Sequence, residues 1–265
     1  MKTISIINLK GGVAKTISAA NTAHILATVH RKKVLLVDND KQGNASKLFG
    51  VHSYDNMSIA DVLTDRSVQI DSVIQATQFA GLDLLPANMT LLQANLQVML
   101  DTARQRETRL KKALQAISGQ YDYCIIDNAP DINISVINAL AASDYVLIPI
   151  KIDNFAFDGL KELKEQIDNT REEINPDLHL LGCFVTCYQN NEVNRQGEEW
   201  LQAQTDYPLF NTHIRRTEKV DESTFASTPI MLYSRRCSAT LDYLKFVDEL
   251  LNKVQSLSNL DKKEG

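Results

Sequence analysis

Asn8-Leu9-Lys10-Gly11-Gly12-Val13-Ala14-Lys15-Thr16 is the stretch that decides how the rest of the chain is read. It follows an apolar, strand-like run (residues 4–8) and opens a helical stretch over 16–29. A glycine turn between a strand and a helix is the setting a phosphate loop needs. Gly11 and Gly12 allow backbone N–H groups to approach phosphate oxygens closely, and the helix start adds unpaired N–H groups and the positive end of its dipole. In that setting Lys15 reaches the β- and γ-phosphates as a point charge, and the Thr16 hydroxyl ligates Mg2+. The general phosphate-loop pattern fails at two glycine positions, Leu9 and Ala14.

Two further stretches supply the missing context. Val37-Asp38-Asn39-Asp40-Lys41-Gln42-Gly43-Asn44-Ala45-Ser46 places two carboxylates at the end of a second apolar run. In open α/β sheets, strand ends of this kind face the ligand crevice. Tyr123-Cys124-Ile125-Ile126-Asp127-Asn128-Ala129-Pro130 is a buried-strand pattern ending in an acid, the form of a carboxylate that holds Mg2+ through water.

Working outward, residues 3–8, 33–38, 82–86, 123–127, 145–150 and 180–186 read as strands rich in Ile, Val and Leu, as parallel strands covered on both faces should be. Helical patterns over 16–29, 89–118, 135–142, 159–173, 194–205 and 238–257 lie between and after them. The alternation predicts an α/β fold, a doubly wound, mostly parallel sheet with helices on both faces. We expect one domain over 1–257 and a disordered tail over 258–265. No run is apolar and long enough to span a bilayer, and the N-terminus has no signal-peptide pattern, which predicts a cytoplasmic protein. The net charge of −5 excludes a uniformly basic nucleic-acid binder but leaves room for a local basic patch. Cys124, Cys183, Cys187 and Cys237 lack metal-ligand spacing and read as reduced thiols, two of them within strands.

The three stretches together resemble the ParA family within the ParA/MinD superfamily of deviant Walker, P-loop ATPases. Leu85-Pro86-Ala87-Asn88, Arg109-Leu110-Lys111-Lys112-Ala113-Leu114, Ile137-Asn138-Ala139-Leu140, Val146-Leu147-Ile148-Pro149, Phe155-Ala156 through Gly159-Leu160, and Pro229-Ile230 extend the likeness from about Lys2 to about Leu251. The resemblance implies an ATP- and Mg2+-dependent switch that dimerises around nucleotide. Lys10 would cross to the partner's ATP. Lys15 and Thr16 would act in cis, and Gly11, Gly12, Val13, Ala14 and Ile17 would complete the nucleotide-contacting loop. Asp40 would position the attacking water, while Thr16, Asp38 and Asp127 would serve the metal. The segments 38–44 and 127–131 would sense the γ-phosphate.

Several positions depart from the family. Ala14 stands where glycine is usual; alanine at a left-handed position costs about 1–3 kcal/mol, which puts ATP affinity and rate in question. Ile17 replaces a hydroxyl residue, Lys41 a proline, Asn128 and Ala129 the usual second-switch residues, and Arg215 a proline near the adenine.

The resemblance also implies non-specific DNA binding by the dimer, nucleoid association, and a ParB-like centromere-binding protein that stimulates hydrolysis. Candidate DNA contacts are Arg195, Arg215, Arg216 and Lys219, with Arg235 and Arg236 nearby; Glu192, Glu198, Glu199, Glu218 and Asp221 are available to pair with them. The early phosphate loop leaves no room for an N-terminal helix-turn-helix. A MinD-like membrane reading is disfavoured by Leu9 and by the stripe Leu241, Leu244, Val247, Leu250, Leu251 and Val254, which is expected to cover the core instead of binding lipid. A nitrogenase-reductase-like cluster protein fits the cysteine positions poorly, and a regulatory homologue impaired in nucleotide binding is the remaining alternative.

Overall fold

The computed structural model describes residues 1–264 except 154–156 and 158, and side chains through Asn259. Phe155 and Ala156 therefore lie outside the described residues. The six apolar runs form β1 (Lys2–Ile6), β2 (Val34–Asn39), β4 (Leu82–Leu85), β5 (Tyr123–Asn128), β6 (Tyr145–Lys151) and β7 (His179–Thr186), and a short strand that was not read from the pattern, β3 (Gln75–Ala76), joins them. They make one seven-stranded sheet in the order β3-β4-β2-β5-β1-β6-β7. Every pairing is parallel except that of β3 with β4. This is the doubly wound, mostly parallel α/β sheet expected from the strand–helix alternation.

The helices are α1 (Lys15–Thr28), α2 (Asn44–Leu48), α3 (Ile59–Thr64), α4 (Thr90–Leu100), α5 (Arg109–Ala116), α6 (Ile134–Ala142), α7 (Leu160–Glu173), α8 (Glu192–Gln202), α9 (Glu218–Phe225), α10 (Ile230–Tyr233) and α11 (Ser238–Glu264). Alternate strand residues point to opposite faces. Val34, Leu36 and Ile125 join Ala19, Ala23, Phe246 and Leu250, so α1 and α11 cover one face. Leu35, Val37, Cys124 and Ile126 join Leu63, Leu91 and Leu114, so α3, α4 and α5 cover the other. The stripe of α11 is spent on the core through Val247, Leu250 and Val254, whereas Leu241 stays 45% exposed.

Three differences from the sequence reading have local causes. The helix expected over 89–118 is broken after Leu100. Asp101 accepts from the Ala103 N–H at 2.9 Å and from Arg104 and Arg109, giving the backbone an alternative to helix. The helix α3 was not read from the pattern, although Ser58 and Asp61 form its capping box, an S-x-x-D signal visible in the chain. Helix α11 runs to Glu264, past the Leu257 end of the helical pattern; the added residues contain neither Gly nor Pro to stop it.

Parallel pairing brings the functional strand ends to one edge. Ile6 stands beside Asp127, and Asp127 beside Asp38. The turns after β1, β2 and β5 thus meet at the centre of the sheet.

Candidate nucleotide-binding site

Fixed polar contacts hold the turn after β1. The Asn8 amide donates to Pro149 O at 2.8 Å and its oxygen accepts from Lys10 N at 2.9 Å. Thr186 Oγ1 donates to Val13 O at 3.1 Å, tying the loop to the end of β7. Helix α1 starts without a side-chain cap and without an acid in its first turn. A lysine there is opposed by the helix dipole unless an anion is bound, so this terminus is built for an anion. Lys15 is 8% exposed and donates to Lys10 O at 2.9 Å. Burial lowers its pKa, while Asp127, Asp40 and Asp131 act in the opposite direction.

Ala14 sits at φ 62°, ψ 31°, the left-handed conformation that glycine adopts freely. The left-handed backbone of Ala14 is thus a cost carried by the folded loop. Ala14→Gly should stabilise the protein by about 0.5–1 kcal/mol, the left-handed penalty less the entropy of a new glycine. A higher urea midpoint at unchanged slope is the expected result; an unchanged or lower midpoint would show an unstrained loop.

The structure separates the roles of the acids. Asp38 is fully buried and accepts from Ser46 N (2.8 Å) and Ser46 Oγ (2.7 Å), with Asp40 N at 3.3 Å. It therefore organises the turn over 38–46, more than it offers oxygens to a metal. Gly43 completes this turn at φ 63°, where a Cβ would come within 2.6 Å of Ala87 O. Asp127 is fully buried too, and neither of its oxygens has a hydrogen-bond partner of ordinary geometry. Burial, then the charge of Asp38, hold its carboxyl well above the usual range, offset in part by the Thr16 hydroxyl and Lys15. A buried carboxylate with both oxygens open beside a threonine hydroxyl and at the foot of a phosphate loop fits Mg2+. Asp40 is half-buried and accepts from Gln42 N at 2.9 Å.

Asp153 was not singled out from the sequence. Lys10 is ion-paired with Asp153, at the end of β6. That position shares the edge where strand-end acids were already suspected, so it was findable. Asn39 Nδ2 bonds Asn128 Oδ1 at 2.8 Å, and Asn128 Nδ2 bonds Ile6 O at 3.2 Å, joining the ends of β2, β5 and β1. Ile17 packs its hydrocarbon on the core.

A cavity of about 750 Å3 adjoins the loop at Ala14 and is lined by Thr186, Cys187, Arg215, Arg216 and Tyr243 among others. This is room for a nucleoside. Arg215 forms a bidentate pair with Asp242, at 2.8 and 2.7 Å, and that acid is 7% exposed. Arg215 lines the cavity and is held by a buried charge, while its own side chain stays 46% exposed. Arg195 pairs with Glu192 at 2.6 Å and Lys219 with Glu222 at 2.7 Å, both on the surface. Such pairs are worth little and exchange readily for phosphate. Arg216, Arg235 and Arg236 are exposed and have no ion pair among the described residues.

A parallel sheet whose central strand feeds a glycine turn and an uncapped helix, beside strand-end acids, defines a P-loop nucleotide-binding protein. A family profile described as AAA domain matches residues 1–180. The chromosome partitioning protein ParA of Caulobacter vibrioides is 32% identical over 257 residues, 96% of this chain and 95% of its own. The sporulation initiation inhibitor protein Soj of Bacillus subtilis is 35% identical over 251 residues, 94% of this chain and 98% of its own. Cobyrinic acid a,c-diamide synthase from Mycobacterium smegmatis, solved with a bound ATP analogue and magnesium, aligns with a TM-score of 0.83 at 29% identity, covering 97% of this chain and 96% of that one. The chain belongs to the ParA family of P-loop ATPases. Among the described residues, no helix is long and apolar enough to cross a membrane.

Proposed function

We propose that this protein is an ATP-driven dimerisation switch that binds DNA without sequence preference and hydrolyses ATP to partition or position DNA. The single observation that carries the reading is the pairing of an uncapped α1 terminus bearing Lys15 with the unpartnered buried carboxylate of Asp127. The terminus favours an anion and the carboxylate a cation on the same edge, and ATP·Mg2+ supplies both.

Lys15 and the N–H groups of Gly11 to Thr16 bind the phosphates. Thr16 and Asp127 would hold Mg2+, which neutralises charge developing on the phosphates. Asp38 keeps the turn after β2 in place, so that Asp40 can orient a water on the γ-phosphate. Lys10, which must exchange Asp153 for phosphate, serves the second protomer. A ParB-like protein would stimulate hydrolysis from the switch side.

The chain is acidic, so DNA affinity must come from a patch that the dimer doubles. Arg195→Ala, Arg216→Ala and Lys219→Ala should each weaken binding to unrelated DNA sequences equally, and Arg195→Ala and Lys219→Ala, which lie outside the nucleotide cavity, should leave ATP affinity unchanged. Two phosphate contacts per dimer are lost with each, so the log–log salt slope should become shallower by up to about two units. The loss should be largest for Arg216, which gives up no ion pair on the protein. A salt series with ATP and Mg2+ tests this. Unchanged slopes and affinities for all three would place the DNA surface elsewhere. No DNA binding by the parent dimer would overturn the reading in favour of a membrane or protein cargo.

A further inference from the structure

On the face away from α1, a cavity of about 620 Å3 opens between the end of α3, the loop before α5, and α5 itself. It shares no lining residue with the nucleotide cavity. Its wall carries four cations: Arg66, Arg104, Arg109 and Lys112. Arg104 and Arg109 are inward groups, with side chains only 18% and 6% exposed. Both donate to the same oxygen, Asp101 Oδ2, at 3.1 and 2.7 Å. One carboxylate thus serves two guanidiniums in a site of low solvent access. The one acid in the cavity wall, Asp65, is occupied by Ser67 N (2.8 Å) and Ser67 Oγ (2.7 Å). Four cations meet two acids here, in a chain whose net charge is −5.

Burying charge without full compensation is costly, and an arginine pair is satisfied best by an anion with several acceptors. Arg109 commits Nε to Gln105 O, one Nη1 bond to Leu63 O and one Nη2 bond to Asp101, so two of its five donors have no acceptor among the described residues. Arg104 uses Nε and Nη2, leaving Nη1 without one. The floor between these cations is apolar, formed by Val62 and Ile70, 7% and 4% exposed. The volume lies within the usual range for small-molecule sites.

We propose that this cavity is a second ligand site, distinct from the phosphate loop, that takes a phosphomonoester of nucleotide size. The phosphate sits among Arg66, Arg104, Arg109 and Lys112, and the organic part lies on the Val62–Ile70 floor. The probe is AMP, titrated calorimetrically into full-length protein carrying Lys15→Ala, which silences the phosphate loop. We expect saturable 1:1 binding. Adding Arg66→Ala and Lys112→Ala should weaken it at least ~10-fold, as two charge-assisted contacts are lost. Both residues are exposed, so their removal leaves the fold intact. Inorganic phosphate should bind several-fold more weakly than AMP. Absence of saturable AMP binding up to about 5 mM overturns the proposal. Equal affinity with and without Arg66 and Lys112 does the same, and phosphate binding as tight as AMP removes the nucleotide-sized ligand.

Discussion

Asp127→Asn should raise the stability of the nucleotide-free protein while removing Mg2+-dependent ATP binding. The carboxyl is buried beside a second buried carboxyl, Asp38, and among the described residues has no hydrogen-bond partner of ordinary geometry. An unsatisfied buried polar group costs about 1–3 kcal/mol, and the like-charged neighbour adds to it. The amide introduced by Asp127→Asn is neutral and can donate to Asp38, so a gain of about 1–3 kcal/mol is expected. The pH dependence has a definite sign. The folded carboxyl titrates above its unfolded counterpart, so between those two values the folded state binds more protons. Stability of the nucleotide-free protein therefore rises as the pH falls through that window. Mg2+ binding has the opposite dependence, because its ligand must be ionised. Urea melts from pH 5 to 8 should show the acid-side gain in the parent and a flatter profile in Asp127→Asn. Destabilisation by Asp127→Asn, together with intact Mg2+-dependent ATP binding, would remove Asp127 from the metal site.

The six parallel strands were legible because each is a short Ile/Val/Leu-rich run bounded by polar turns, as parallel strands covered on both faces need; the antiparallel edge strand β3, Gln75–Ala76, carries no such run and was not read. The glycine turn between β1 and α1 was legible for a similar reason: its signal is local, with Gly11, Gly12, Lys15 and Thr16 lying close together between strand and helix. Asp38 and Asp127 could be picked out as strand-end acids, but not told apart. What separates them is Ser46, whose N–H and hydroxyl claim Asp38 and leave Asp127 open. That difference depends on how the turn over 38–46 folds back, with Gly43 against Ala87, and no spacing rule contains it. The break after Leu100 escaped for the same reason. Asp101 has to meet Arg109, a contact across eight residues, before a helix-compatible stretch becomes a loop. The basic candidates show the limit most clearly: Arg215 and Arg216 are neighbours in sequence and both exposed, yet Arg215 is paired with buried Asp242 and Arg216 has no ion pair among the described residues.

Lys15→Ala and Asp40→Ala should fail in opposite ways. Lys15 is the inward cation at the α1 terminus, and its pKa is lowered by burial, so its charge is sustained by the surrounding acids and by any bound phosphate. Its removal takes away several charge-assisted contacts and should weaken ATP binding more than ~100-fold. Asp40 is half-buried, its carboxylate accepts from the Gln42 N–H, and it follows β2, outside the turn after β1. Its removal leaves the binding groups in place and takes away the group that orients water, so hydrolysis should fall ~10²–10⁴-fold at nearly unchanged ATP affinity. If ATP joins two protomers and hydrolysis parts them, Asp40→Ala protein should accumulate as a dimer with ATP and Mg2+, and Lys15→Ala protein should stay monomeric under all conditions. Size-exclusion chromatography with bound-nucleotide analysis reads both outcomes. An Asp40→Ala protein that holds ATP yet elutes as a monomer would separate nucleotide binding from dimerisation and remove the switch from the proposed function. An Asp40→Ala protein that hydrolyses ATP at the parent rate would return Asp40 to the role of a turn residue, and the water-orienting group would have to be sought among the residues after β5.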